Sequence, residues 1–489
     1  MRVSDLIQLG KQYLGLGVAA AAAVILAWLI GYFIVYRKLM KGQKKLNIRA
    51  VVWWAVMICN LAVIAGATLM SRSAIWSAGK IVPLFYSYRE AWVNFTGTAW
   101  RNIILNICMF VPLGFLLPLG IKKCRMFWRT YLIGFMLTFL IELVQLLLHL
   151  GIFELDDLMG NTVGTMIGYG LYALWEMLRC AISKRKKQDG KHIVLKAACL
   201  QLPLIVTVTA FSVIFITYHH QELGNHPDQY VTKYDAKHIE VTADIVFDDS
   251  AAVYPVYQLQ TFSKDDAVAF ARGFFQNLGE DIDESRNDFY DDTAVFWSTG
   301  NSGNRYNLWF HYQGGTYSMT DFQLKFSDVE TAQAPIPQQT ANAKEQAVRD
   351  ALRRYGIELL PQAVFSNENA LTYEFKLSME ESDGHVYDGT LSCDYYDSGE
   401  ISEINNNIKE CTIYKEFDAI TEQEAYEKLC SGECNFYERN FYEERDLKIH
   451  ITGCSLQYTI DSKGFYQPTY LFECEINGES THLGIPALK

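Results

Sequence analysis

The sequence predicts an α-helical polytopic membrane bundle of six spans, followed by an extracytoplasmic α+β domain. Six long apolar stretches crowd the first 218 of 489 residues. Basic residues cluster in alternate gaps between those stretches. Beyond residue 218 the chain turns abruptly acidic, aromatic and turn-rich. Residues 1–218 hold 23 Lys+Arg against 8 Asp+Glu, which leaves 20 against 47 for residues 219–489. Balances of +15 and −27 thus lie behind the net −12. Neither half suits nucleic acid: the basic residues serve short loops between apolar runs, and the acidic half repels phosphate.

A helix crossing the hydrocarbon needs roughly 20 apolar residues, because every backbone polar group must be satisfied without water. The stretches 14–36, 51–70, 103–119, 128–148, 160–178 and 194–218 meet this condition. Pro112 and Gly114 predict a kink in the third. The first is longer than a signal-peptide core of about 7–15 residues, and its basic cluster follows it, so a retained span is expected. The basic clusters are Arg37, Lys38, Lys41, Lys44, Lys45 and Arg49; then Lys122, Lys123, Arg125 and Arg129; then Arg179, Lys184, Arg185, Lys186, Lys187 and Lys191. Positive residues mark cytoplasmic loops. One orientation satisfies all three clusters, with both termini, the loops 71–100 and 149–159, and everything beyond Tyr218 outside the cell membrane.

Polar residues within spans are costly and therefore informative. Arg101, Asn102 and Asn106 open the third span in WRNIILNICMFVPLGFLLPLG. Glu142, Gln145 and His149 follow at three- and four-residue steps at the end of the fourth, on one face. Asp156, Asp157 and Asn161 open the fifth in FELDDLMGNTVGTMIGYG, where Gly164 and Gly168 suit close helix packing. In the predicted orientation all nine polar residues belong to the outer half of the bilayer. They predict an outward polar pocket in which Glu142 and Asp157 pair with Arg101. Plainer roles are open for several: interfacial anchoring for Arg101, interhelical bonds for Asn102, Asn106 and Gln145, a surface place for His149, and helix capping for Asp156.

The ordered set R-N-x3-N, P-L-G-F, I-E-x2-Q and D-D-x3-N-x2-G-x3-G, over roughly residues 100–175, resembles the VanZ-like family. That resemblance implies a bacterial envelope protein, and the family's namesake is associated with reduced susceptibility to the glycopeptide teicoplanin. It brings no established reaction.

The outer half divides into a stalk (219–253) and three loose helix-plus-antiparallel-sheet repeats (254–332, 341–410 and 411–489), with a proline-containing linker at 333–340. Helices are expected at 263–279, 342–356 and 421–432, with strands near 306–312, 315–322, 371–377, 385–395, 447–460 and 467–476. Phrases such as DGHVYDGTLSCDYYDSGEISEINNNI give this half a resemblance to PepSY-like and YycH/YycI-type extracytoplasmic domains, which implies a binding or sensing module. Cys393, Cys411, Cys430, Cys434, Cys454 and Cys474 permit disulfides in 15 pairings. No metal is expected, because no histidine cluster accompanies the CSGEC pair, and no cofactor motif is present.

The leading expectation is a non-enzymatic envelope protein. Its polar pocket engages a lipid-linked cell-wall precursor or a glycopeptide at the outer leaflet of the lipid bilayer, and its outer domain binds an envelope protein partner. One rival is a membrane enzyme acting on a lipid or pyrophosphate headgroup, with Glu142 or Asp157 as base, His149 as acid and Arg101 as charge stabiliser. Another is a signalling protein dominated by the outer domain.

Overall fold

The computed structural model describes residues 3–489 except 40, 42–46, 71–80, 183–189, 227–231, 234–235, 291, 300–304, 326–341, 368, 370, 397 and 435–445. The expected linker at 333–340 and part of the basic clusters, Lys44, Lys45 and Lys184 to Lys187, lie outside the described residues. The chain forms two compact units, Met1–Glu222 and Leu223–Lys489.

The first unit is helical. Its helices are α1 (Val3–Ile30), α2 (Ile48–Ala65), α3 (Tyr86–Asn94), α4 (Gly97–Gly120), α5 (Phe127–Leu147), α6 (Leu155–Ile182), α7 (Gly190–Cys199) and α8 (Leu202–His220). Among the described residues five segments are long and apolar enough to cross a membrane: Gly17–Leu39, Ile48–Leu69, Gly97–Gly120, Phe127–Leu147 and Val194–His220. The expected span 160–178 lies in α6, which is long enough at 28 residues but less apolar. Its sequence spends glycine, threonine, asparagine and tyrosine on packing rather than on lipid contact. Helix α4 stays helical through Pro112 and Pro118.

Helices α4 and α6 cross at backbone contact. A Cβ on Gly164 would lie 2.0 Å from the Ile107 carbonyl oxygen, one on Gly168 would lie 2.0 Å from that of Val111, and one on Gly114 would lie 2.1 Å from that of Thr165. Only glycine allows this approach, and lipid tails supply no hydrophobic drive that would make looser packing sufficient. Two residues between α2 and α3, β1 (Ile81–Val82), pair in parallel with β2 (Phe153–Glu154) just before α6.

The second unit is a 14-stranded mixed sheet with helices packed on it. Its principal strands are β3 (Ile239–Ala243), β4 (Ala252–Leu259), β5 (Thr293–Trp297), β6 (Tyr306–His311), β7 (Tyr317–Asp321), β8 (Thr372–Ser382), β9 (His385–Tyr395), β10 (Ile401–Asn406), β11 (Lys409–Ala419), β12 (Leu447–Ile460), β13 (Phe465–Ile476) and β14 (Glu479–Pro486). The order β3-β12-β13-β4-β11-β9-β10-β7-β6-β5 is continuous, with β8 paired to β9 and β14 to β13. Two hairpins turn on residues that tolerate positive φ: Asp383 and Gly384 (53° and 81°) between β8 and β9, and Asn477 and Gly478 (52° and 87°) between β13 and β14.

The three expected helices appear as α9 (Lys264–Asn277), α10 (Glu345–Arg354) and α11 (Glu422–Cys430). Capping boxes start α9 at Ser263 and α11 at Thr421. The sheet and its cores do not divide into three repeats. Helix α9 buries Ala267, Ala271 and Phe275, and α10 buries Val348 and Leu352, within one core that also holds Phe310, Phe375 and Ile404. Helix α11 covers a second core with Ile449, Tyr470 and Phe472. Residues 239–243, expected in a stalk, instead form the parallel edge strand β3 against β12.

The disulfide expectation is corrected for five of its six cysteines. Cys393, Cys411, Cys430, Cys454 and Cys474 are free thiols. The registers explain part of this: Cys393 lies opposite Tyr373 and Ile404, Cys454 opposite Phe472, and Cys474 opposite Ile451, so no two of these meet across the sheet. Burial pushes the Cys393 thiol up to about 12, aided by Asp394. The Cys434 side chain lies outside the described residues.

Candidate functional site

Thr96 caps α4, its hydroxyl accepting the Ala99 N–H at 3.3 Å, and the helix then presents Arg101, Asn102 and Asn106. Glu142 and Gln145 occupy the last turns of α5. A tight turn through His149, with φ 53°, leads to β2 and to Asp156, Asp157 and Asn161 at the start of α6. The structure brings most of these residues into one polar cluster.

The Asn106 side-chain amide donates to Asp157, joining α4 to α6 just above their glycine crossing. Asp156 is nearly buried, and its two oxygens accept the backbone N–H groups of Phe85 (2.5 Å) and Ser87 (2.8 Å). Phe85 adopts φ 69°, which turns its N–H and that of Ser87 toward one carboxylate. The Ser87 hydroxyl donates to Glu154 at 3.2 Å, and Glu142, 2% exposed, accepts the Glu154 N–H at 3.1 Å. The carboxylates therefore fasten the loop 81–87 to the bundle. Tyr88, in the first turn of α3, has its phenol pushed up to about 12, by burial first and then by the charges of Asp156 and Asp157.

One turn deeper, Asn161 donates to the Thr138 hydroxyl at 2.9 Å, and Thr165 donates to the Asn161 carbonyl at 3.1 Å. Gln145 donates to the Thr68 carbonyl at 2.8 Å. Thr68 belongs to a π-helical turn, Gly66–Met70, that extends α2, and the last carbonyls of a helix have no intrahelical donor. The oxygens of the Gln145 and Asn161 amides are buried without a hydrogen-bond partner among the described residues.

The expected pairing of Arg101 with Glu142 and Asp157 is not found among the described residues. Arg101 forms no ion pair among the described residues, and its Nε is buried without a hydrogen-bond partner. The expected Arg101 pairings are replaced by Glu142 bonded to backbone and Asp157 bonded to Asn106. Asn102 and His149 are exposed. Thr138, Thr165, Glu154 and the backbone of residues 85–87 were not foreseen. Thr138 and Thr165 continue the four-residue steps from Glu142 and Asn161, and that spacing was the available signal. No group of three or more His, Cys, Asp or Glu able to hold a metal occurs among the described residues.

The VanZ/LLP1 family model matches residues 47–176, from the start of α2 into α6. The block is VanZ-like. Protein VanZ of Enterococcus faecium is 30% identical over 93 residues, which is 18% of this chain and 57% of that protein, so this chain spans little more than half of its relative. The VanZ-like block contains all nine predicted polar residues. The apolar helices and this family match are the features of a membrane protein.

Two solved structures also align. An uncharacterized protein from Eubacterium rectale ATCC 33656 covers 50% of this chain and 86% of itself, at 8% identity and a TM-score of 0.24. The C-terminal domain of YpeB from Bacillus megaterium covers 47% of this chain and 95% of itself, at 13% identity and a TM-score of 0.22.

Proposed function

We propose that the VanZ-like block is a binding site for an anionic, lipid-linked cell-wall precursor or a lipophilic glycopeptide at the outer leaflet. In this reading α6 crosses the membrane as a sixth span, both termini lie outside, and the outer domain binds an envelope protein partner. The observation that carries the proposal is Arg101. It is a guanidinium at the end of the polar cluster with unused hydrogen-bonding capacity and no ion pair among the described residues. Guanidinium forks onto pyrophosphate or carboxylate, and its charge counts for more where water is scarce. The use of Glu142 and Asp156 as acceptors for backbone N–H groups favours binding over general-base chemistry.

Arg101→Gln and Arg101→Lys, compared at equal membrane abundance, test this reading through teicoplanin susceptibility. Gln should raise susceptibility toward that of a null strain, while Lys, which keeps the charge without the fork, should fall between. Susceptibility unchanged in both variants would sink the proposal.

A further inference from the structure

Strand β11 lies inside the sheet order, yet five consecutive residues of it, Thr412 to Glu416, are exposed. Along one side it pairs with β4 from Cys411 to Ala419. The other side is shared between two short partners. Lys409 to Cys411 pair with β9; further on, the Asp418 carbonyl accepts the Lys489 N–H at 3.1 Å, and Ile420 donates to the Ala487 carbonyl at 2.7 Å. Backbone groups alternate between the two sides of a strand, and a β-bulge at Tyr414 shifts the count by one. Cys411 before the bulge and Asp418 after it both face away from β4, so Ile413 and Glu416 face away as well. Pro255, opposite Glu416, agrees with this, because it has no N–H to give β11 there. Among the described residues no strand meets Ile413 or Glu416 on that side. Residues 412–417 therefore border an open slot about 20 Å long.

We propose that this slot takes an extended, basic segment of another envelope protein as an added strand. The proposal rests on the reading that the sheet unit binds a protein partner, and it names the place and the manner. Main-chain bonds to Ile413 and Glu416 supply the attachment, as where any peptide extends a sheet edge. The side chains select the segment. Ile413, 60% exposed, and Tyr414, 41% exposed, offer apolar cover to a strand laid beside them. Glu416 and Asp418 lie on β11 itself, and Glu381 is opposite Val386, which in turn is opposite Cys411 at the end of the slot. Lys415 is the one cation within residues 412–417, and Lys489 stands at the far end. Residues 219–489 hold 47 acidic against 20 basic side chains, so the field of the unit also draws a basic segment in. The bulge and Lys415 make this edge a poor template for a second copy of itself.

Hydrogen exchange on the full chain in nanodiscs tests the proposal, with a capped hexapeptide of alternating lysine and valine as the probe. Alone, the protein should exchange the Ile413 and Glu416 amides quickly and the inward amides of Thr412 and Phe417 slowly. The probe at millimolar concentration should slow Ile413 and Glu416 about tenfold, as an affinity of roughly 100 µM would. A glutamate–valine hexapeptide should leave both unchanged. Glu416→Pro removes one outward donor and no bond to β4, and should abolish the protection of Ile413. The slot is overturned if Ile413 and Glu416 are already slow without peptide, or if neither responds to the basic probe. Equal protection by the acidic peptide rejects the basic segment, and protection that rises with protein concentration alone rejects a foreign partner in favour of self-pairing. Protection by the probe elsewhere in the sheet unit, with Ile413 and Glu416 still fast, rejects the slot while leaving the protein-binding reading of that unit standing. Should Glu416→Pro unfold the unit, the comparison of the two peptides on the parent protein decides.

Discussion

Glycine does opposite work in the two units. In the membrane unit Gly114, Gly164 and Gly168 have ordinary helical backbone and serve by their missing side chain, letting α4 and α6 meet at their carbonyls. In the sheet unit Gly384 and Gly478 have nothing within 4 Å of a built Cβ and serve by their positive φ, 81° and 87°, in hairpin turns. The difference follows from the solvent. Water drives the aromatic core of the sheet unit together, so its glycines need only let the chain turn. Lipid does not discriminate between leucine on a neighbouring helix and leucine on itself, so the membrane helices depend on close contact and on polar bonds.

The sharpest test of this contrast is Gly164→Val, which drives a side chain into the Ile107 carbonyl. It should cost more than about 3 kcal/mol and leave little monodisperse protein in detergent gel filtration. Phe472→Ala, emptying a fully buried site in the second core of the sheet unit, should cost about 3–5 kcal/mol, read from unfolding of that unit, and spare the membrane unit. Asp156→Ala removes the acceptor of two backbone N–H groups and should cost about 2–3 kcal/mol in thermal unfolding, with faster proteolysis in the loop 81–87. Gly478→Ala should cost about 1 kcal/mol, since it meets no atom but keeps the positive φ. Equal losses from Gly164→Val and Gly478→Ala would erase the proposed division.

The smallest effect is a pH dependence. The Ser263 side chain and then its backbone N–H hold the Asp266 carboxyl below its ordinary value of 3.8. A depressed carboxyl contributes stability that is present above the ordinary value and lost as pH falls through the depressed one. Ser263→Ala should therefore weaken the protein at neutral pH, with the difference closing below about pH 4. Parallel acid-unfolding curves for parent and variant would contradict this.

Much of this arrangement was legible from residue order. Period-four spacing placed Glu142, Gln145, Asn161 and the packing glycines, and alternation placed β8, β9, β12 and β13 to within a few residues. What stayed hidden depended on groups without sequence identity. The N–H groups of Phe85 and Ser87 capture Asp156, and the Glu154 N–H engages Glu142, yet every residue but proline carries such a donor, so no pattern announces where it bonds. The fusion of the first two repeats was hidden for a related reason. Amphipathic patterning in α9 and α10 says that each has a buried face, and it is silent on whether the two share a core.

The π-helical ending of α2 makes that helix sensitive to length rather than to composition. The last turn leaves Thr68 with a carbonyl for Gln145 to grip. Deleting Gly66 or Ala67, just ahead of it, would swing Thr68 by about 100° around the axis. That oxygen would turn away from α5, although no side chain of the polar cluster had been altered.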